Sequence, residues 1–179
     1  MSLLVDKQIK KLITQKEIVI DPYDEKNLAS GSYRLSLGKV ILIPKEGERV
    51  VLGKSIQPKY DRIEITKDGF TLNPGMFVLG QTLEKVTLPK CIGGFLDTRS
   101  TLARLGVSIN NTAMYLEPGH SDSIITLEIF NSGKFDLVLN VGESVAKLIF
   151  ITSSGSAIRG YSEYGRYALQ EETTGAKID

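Results

Sequence analysis

The sequence has one cysteine, Cys91, one histidine, His120, and no tryptophan in 179 residues. A lone cysteine excludes an internal disulfide, and one Cys with one His cannot build a Cys/His zinc cage. Ser-His-Asp or Cys-His catalysis would hang on a single imidazole, around which no supporting pattern stands. Carboxylates, hydroxyls and arginines are left as the candidate chemical groups. A dominant charge is missing as well: 22 Lys and Arg against 21 Asp and Glu leave a net charge of +1. No electrostatic footprint argues for nucleic acid or a membrane surface, so a small-molecule partner is expected. No apolar run approaches the length of a membrane span, and MSLLVDKQIKK lacks the apolar core of a secretory signal, which makes the cytoplasm the expected location. Internal repeats and low-complexity segments are absent too.

What is present suits one globular domain with a real core. Asp6 followed by Ile9, Leu12 and Ile13 reads as a short helix capped by Asp6 and ending near Gln15. From Glu17 onward, β-branched runs such as IVI, KVILI and RVVL are broken by Gly, Pro, Asn and Asp at the spacing of antiparallel strands. SGSYRLSLG alternates Tyr33, Leu35 and Leu37 with polar residues, as a half-buried strand does. Ile56 to Phe70 reads as a long loop holding one strand, DRIEIT. Pro74-Gly75 predicts a turn before a strand at Met76 to Leu79, with another from Thr82 to Val86 and a break at Pro89. FDLVLNVGESVAKLIFI predicts two strands around a turn at Asn140 to Glu143. The body is expected to be mainly β, with residues 1–152 as one domain. Residues 153–179 are rich in Gly, Ser, Thr, Tyr and charge and poor in aliphatics. They read either as a frayed terminus or as a mobile lid whose Arg and Tyr close over a polar ligand.

The stretch from Gly93 to Phe130 carries most of the chemistry. In TRSTLARLG, Ser100 and Thr101 open a single helical turn that Gly106 stops. Arg99, two hydroxyls and free backbone N–H groups there could receive an anion, or could simply cap a turn between strands. In ITLEIF, strand alternation puts Ile124, Thr126, Glu128 and Phe130 on one face and Ile125, Leu127 and Ile129 on the other. Both faces look buried. A carboxylate in such a place needs a cation, hydrogen bonds or a wet cleft, so Glu128 is a candidate functional acid, with Arg104 as its expected partner. The competing reading is a gatekeeper charge on an edge strand. Glu117, before Pro118-Gly119, can be an ordinary turn acid or a site residue. His120 and Cys91 have no chemical company and read as structural. Asn110, Asn111 and Thr112 are turn residues or serve to orient Ala113.

Taken together, RSTLARLG, NTA at Asn111 to Ala113, EPG at Glu117 to Gly119 and TLEIFNSG resemble the dCTP deaminases, relatives of the trimeric dUTPases. IVIDPYD, SYRLSLG, LNPGMFVLGQTLEKVTLP, VGESVAKLIF and GRYALQ extend the resemblance over nearly the whole chain. It implies a distorted jelly-roll-like β-barrel of the dUTPase type with a short N-terminal helix. A homotrimer with sites between subunits, nucleotides of the dCTP, dUTP and dTTP type as partners, and Mg²⁺ carried by the triphosphate are implied as well. The implied chemistry is zinc-free deamination, in keeping with a chain that cannot supply the His, Cys and Cys ligands of a zinc deaminase.

By position, the resemblance makes Glu128 the general acid/base, with Ser100 and the Ala113 carbonyl holding the attacking water and Arg104 orienting Glu128. It gives Arg99, Thr101 and Arg166 to the phosphates, Gln170 to a lid residue near the base, and Tyr161 or Tyr164 to a lid tyrosine. Glu117 stands where the family has Asp, His120 where an aromatic is common, and Arg34 and Ser36 where the family has Asp and Arg. A residue is inserted near Ser121-Asp122-Ser123. Deamination of dCTP to dUTP is the leading expectation. The alternatives are an enzyme that also or only releases dUMP and pyrophosphate, with Glu117 activating water at phosphorus, and a non-catalytic nucleotide-binding relative. Ala103 leans toward deamination alone, because glycine is frequent there in the bifunctional members.

Overall fold

The computed structural model describes residues 2–47, 49–54 and 57–178. Its first element, α1 (Asp6–Thr14), buries Ile9 completely and packs Leu12 and Ile13 partly against the core. The cap differs from the sequence reading: Val5 is the N-cap, and its N–H donates to the Gln8 side chain at 3.0 Å. Asp6 is the first helical residue and accepts from the Lys7 N–H, an acid in the first turn where the helix dipole favours it.

Thirteen strands follow among the described residues: β1 (Val19–Asp21), β2 (Leu28–Ala29), β3 (Ser32–Ser36), β4 (Val40–Pro44), β5 (Tyr60–Glu64), β6 (Phe70–Leu72), β7 (Phe77–Thr87), β8 (Ile92–Thr98), β9 (Val107–Ser108), β10 (Tyr115–Leu116), β11 (Ser123–Asn131), β12 (Leu137–Leu139) and β13 (Ser144–Thr152). One sheet runs β5-β4-β7-β11-β9, with β1 also on β7; a second runs β10-β8-β13-β3-β2; β12 and β6 form a small pair. Hydrogen bonding leaves both larger sheets open, so the fold is mainly β with a short N-terminal helix, as expected, but is not closed into a barrel. The core is shared between the sheets: Tyr33, Leu35, Leu148 and Phe150 of one, and Ile41, Val78, Val86, Leu127 and Ile129 of the other, belong to one buried cluster. No helix among the described residues is long and apolar enough to cross a membrane.

Two strand expectations change. Met76–Leu79 and Thr82–Val86 merge into the single strand β7, because Gly80 and Gln81 keep pairing with β11 through Leu127 and Thr126. RVVLG forms no strand, and Val50, Val51 and Leu52 are exposed. The Pro74-Gly75 turn is present, closed by the Met76 N–H donating to the Asn73 carbonyl at 3.1 Å. The turn of helix α2 (Ser100–Arg104) ends at Gly106, whose φ of +82° is the left-handed conformation expected of a C-terminal glycine.

Residues 153–178 pack against the body of the fold. They double back over the first sheet, held by polar contacts in place of the aliphatics the sequence lacks. The Ile124 N–H donates to the Gln170 carbonyl at 3.0 Å, and the Thr173 N–H to Gln81 Oε1 at 3.0 Å. The Ala176 N–H donates to the Tyr60 hydroxyl at 3.2 Å, and Gln57 exchanges two hydrogen bonds with the backbone of Ile178. Arg62 grips Glu172 with two nitrogens, at 2.6 and 2.9 Å.

Candidate active site

Strand β11 positions the central carboxylate. Its buried face, Ile125, Leu127 and Ile129, enters the core, while Thr126, Glu128 and Phe130 are only half-buried. The expectation that both faces are buried is therefore corrected: the Glu128 face lines a cavity of about 770 Å³. Strand pairing with β7 holds this face in place, Glu128 opposite Leu79 and Thr126 opposite Gln81.

Within its own chain, Glu128 is held by Thr112 and Ala113 and not by Arg104. One carboxylate oxygen accepts from the Thr112 N–H at 2.7 Å, the Thr112 hydroxyl at 2.7 Å and the Ala113 N–H at 3.1 Å. The loop that supplies these donors is fixed from below. Asn110 pairs with Glu128 in a parallel bridge and donates its amide to the Leu96 carbonyl at 2.8 Å, and the Thr98 hydroxyl reaches both Asn110 and the Ile109 N–H at 3.1 Å. Asn110 is thus a buttress, while Thr112 and Ala113 present the carboxylate to the cavity. Three charge-assisted donors on one oxygen leave the second oxygen available to a ligand or water.

Another part of the cavity wall is Glu117, in the Glu117-Pro118-Gly119 turn. Gly119 has φ +77°, and a Cβ there would fall 2.4 Å from the Gly160 Cα, so the turn and the start of the tail are packed backbone to backbone. The Tyr161 N–H donates to the Pro118 carbonyl at 2.9 Å, and the Ser162 N–H to the Gly119 carbonyl at 3.0 Å. The Tyr161 ring stacks on His120 at 5.8 Å and meets the Tyr164 ring edge-on at 5.9 Å. Tyr164 donates its hydroxyl to Glu117, which holds the phenol pKa above its ordinary value; burial does the same for Tyr161. Farther along, Tyr167, Gln170 and 174–176 complete the wall, facing Tyr60, Phe77 and Leu79.

Of the residues singled out in the sequence, the structure brings Glu128, Ala113, Glu117, Tyr161 and Gln170 together around one cavity. Tyr164 stands behind Glu117, and Arg166 donates to the Lys177 carbonyl at 2.7 Å, away from the lining. The α2 group does not join them. Ser100, Thr101 and Arg104 are exposed, Arg99 donates to the Ser144 carbonyl at 2.9 Å, and none of the four lines the cavity. Thr112, which the sequence offers as a turn residue or as one orienting Ala113, also holds Glu128; residues that sequence reasoning missed include Tyr60, Phe77 and Tyr167, aromatics from distant segments. His120, which reads as structural in the sequence, also lies on the wall.

These features define a β domain with a cavity between a loop-held carboxylate and its own C-terminal segment. The family described as dCTP deaminase-like matches residues 3–153, and the chain belongs to it. A dCTP deaminase of Marinomonas sp. (strain MWYL1) is 35% identical, the match covering 98% of this chain and 97% of that protein. A dUMP-forming dCTP deaminase of Methanosphaera stadtmanae is 33% identical over 99% of this chain and 93% of its own length. Among solved structures, the 2′-deoxycytidine 5′-triphosphate deaminase from Agrobacterium tumefaciens shares the fold, with a TM-score of 0.64 at 19% identity. That likeness covers 89% of this chain and 50% of that one, so the present chain spans half its length.

Proposed function

We propose that the protein hydrolyses dCTP to dUTP and ammonia, with Glu128 as general acid/base. The observation that carries this reading is the Glu128 carboxylate, held on one oxygen by Thr112 and Ala113 at the wall of the cavity. The free oxygen takes a proton from a water held by the Ala113 carbonyl. The water oxygen bonds to cytosine C4 as the ring N3 gains a proton. Glu128, having given its first proton to N3, takes the second from the new C4 hydroxyl and passes it to the 4-amino group; the C4–N bond breaks, and ammonia leaves as the carbonyl of uracil forms. Water supplies the oxygen and both of the protons that appear in the products, so the step balances without an oxidant or a bound metal.

Mg²⁺ enters this reading as part of the substrate. Among the described residues, no group of three or more His, Cys, Asp or Glu side chains could hold a metal ion, so the donor set suits an ion that arrives on the triphosphate. Residues 153–178 act as the lid, with Tyr161 and Gln170 over the nucleotide.

Ser100, Thr101 and Arg104 lie exposed on α2, with the half-buried Arg99 as its N-cap, and all four stand apart from the cavity of their own chain. Their assigned roles, holding water, orienting Glu128 and binding phosphate, are met if α2 of one subunit completes the cavity of another, in a homotrimer with sites between subunits. A second reading, in which the enzyme also releases dUMP and pyrophosphate, is favoured by Glu117 on the cavity wall and by the dUMP-forming name of the Methanosphaera relative. The test is incubation with Mg²⁺ and either dCTP or dUTP, with dUTP, dUMP, pyrophosphate and ammonia resolved, and repetition with Glu128→Ala. Ammonia release that survives the substitution would sink the mechanism. No turnover of either nucleotide would leave a non-catalytic binding protein.

A further inference from the structure

The resemblance gives Gln170 to a lid near the base, yet its side chain is already engaged within the chain. Gln170 is 8% exposed, and the two ends of its amide meet two threonines: Nε2 donates to the Thr174 hydroxyl at 2.7 Å, and Oε1 accepts from the Thr126 hydroxyl at 3.4 Å. A hydroxyl both donates and accepts, so either orientation of the amide satisfies the pair. The Thr126 hydroxyl also meets that of Thr173, itself 3% exposed, at 2.9 Å. Thr173 donates its N–H to Gln81 Oε1 at 3.0 Å, and Gln81 lies opposite Thr126 in the pairing of β7 with β11. The backbone of Gln170 is fixed as well: its N–H donates to the Ser123 hydroxyl at 2.8 Å, and its carbonyl accepts from the Ile124 N–H at 3.0 Å.

These contacts make one uncharged cluster drawn from β7, β11 and the tail. Away from water a hydrogen bond is stronger and an unmatched group costs more, so a satisfied cluster accepts one register of the tail and penalises any other. Thr126 stands on the same face of β11 as Glu128, two residues away, or ~7 Å along a strand. The tail is thereby fastened to the strand face that presents the carboxylate. Wall residues flank the fastening on both sides, with Tyr167 before it and Thr174, Gly175 and Ala176 after it. We infer that Gln170 is a positioning residue: through Thr126 and Thr174 it seats the tail on the Glu128 strand before any nucleotide arrives, and its amide makes no contact with the nucleotide. The seating needs no ligand; its consequence for substrate rests on the deaminase reading.

The test is hydrogen exchange of the nucleotide-free full chain, read at the Thr173 and Ile124 amides, in the parent, Gln170→Leu, Thr126→Val and the double variant. Each single variant exchanges about tenfold faster at both amides, the worth of one buried hydrogen bond. The double variant is no faster than the faster single, because both break the same fastening. Thr126→Ser restores the hydroxyl and the parent rate. Thr174→Val, at an exposed position, opens the other end of the amide without threatening the fold and speeds exchange in the same way. Calorimetry with Mg·dCTP and Mg·dUTP, in a Glu128→Gln background that blocks turnover, gives the second readout. Gln170→Leu weakens both nucleotides by the same factor, and adding Thr126→Val weakens neither further. Parent-like exchange in Gln170→Leu and Thr174→Val overturns the inference. So does a change in the preference between dCTP and dUTP in Gln170→Leu, or losses of affinity that multiply in the double variant, since either would make Gln170 a contact of the nucleotide. If the exchange result holds while neither nucleotide binds, the deaminase reading fails and the seating stands.

Discussion

Thr112 and Glu128, sixteen residues apart in sequence, meet twice: the backbone N–H and the hydroxyl of Thr112 both donate to one Glu128 oxygen at 2.7 Å. A carboxylate gripped on one side is aimed on the other, and that aim is what proton transfer at a fixed carbon requires. Thr112→Val keeps the backbone donor and removes the hydroxyl from an exposed position, so the fold should persist. The expected outcome is a fall in kcat of about tenfold with dCTP, the scale of one hydrogen bond to a charged group, and recovery in Thr112→Ser. An unchanged kcat in the valine variant would show that the hydroxyl does not set the position of Glu128.

A second carboxylate, Glu84 on β7, is 2% exposed and accepts from the Ser36 N–H at 2.8 Å. Burial raises its pKa, outweighing the hydrogen bonds to Ser36, which lower it. The folded state thus binds this proton more tightly than the unfolded chain does. Stability from this group is fully present below the unfolded carboxylate pKa and is lost as pH rises through the folded one. Glu84→Gln removes the titration, keeps an oxygen for the Ser36 N–H and offers its amide to the Ser36 hydroxyl. The variant should melt higher than the parent at neutral pH, and the gap should narrow as pH falls into the carboxylate range. A gap that widens toward acid pH would contradict the assignment.

How far the sequence foretells these arrangements depends on the kind of interaction. Tyr33 and Leu35 alternate with polar residues because their face of β3 enters the core, and ITLEIF reads as a strand for the same reason; such periodicity is local and visible. The carboxylate at Glu128 stands out because a charge interrupts an apolar run. Its actual partners, Thr112 and Ala113, sit in a loop brought close by the Asn110 bridge, a tertiary event with no local period. RVVL has the composition of a strand, but strand pairing is a property of the fold, and Val50 and Val51 lie exposed outside any strand. The tail is hardest to read: its docking rests on single polar contacts from Arg62, Gln81 and Tyr60, spread over segments far apart in the chain.

The grip of Arg62 on Glu172 is the charged part of that docking, and Arg62 also donates to Glu64 at 2.8 Å. Both partners are exposed, so the contact is screened by salt and matters less for global stability than for where the tail rests. Arg62→Ala should leave the melting temperature nearly unchanged while trypsin cuts faster within the tail, at Arg159 and Arg166. The doubly reversed pair, Arg62→Glu with Glu172→Arg, should slow the cutting again. Equal cleavage rates in the parent and Arg62→Ala would mean that the uncharged contacts at Gln81 and Tyr60 hold the tail without it.

Placement of α2 outside the cavity of its own chain sets the last expectation. If Arg104 of one subunit completes the Glu128 site of the next, Arg104→Ala and Glu128→Gln each abolish deamination, but they do so from different chains. Mixing the two inactive proteins, unfolding and refolding them together, then creates sites that take Arg104 from the Glu128→Gln chain and Glu128 from the Arg104→Ala chain. In a randomly assembled ring with equal input, about one quarter of the sites carry both native residues. Ammonia release should therefore return to about one quarter of the rate of the parent protein refolded in the same way. Recovery also excludes a site completed within one chain, since no chain in the mixture holds both residues. Failure to regain activity, when the parent survives the same refolding, would place the Arg104 and Glu128 functions in a single subunit and overturn the shared-site arrangement.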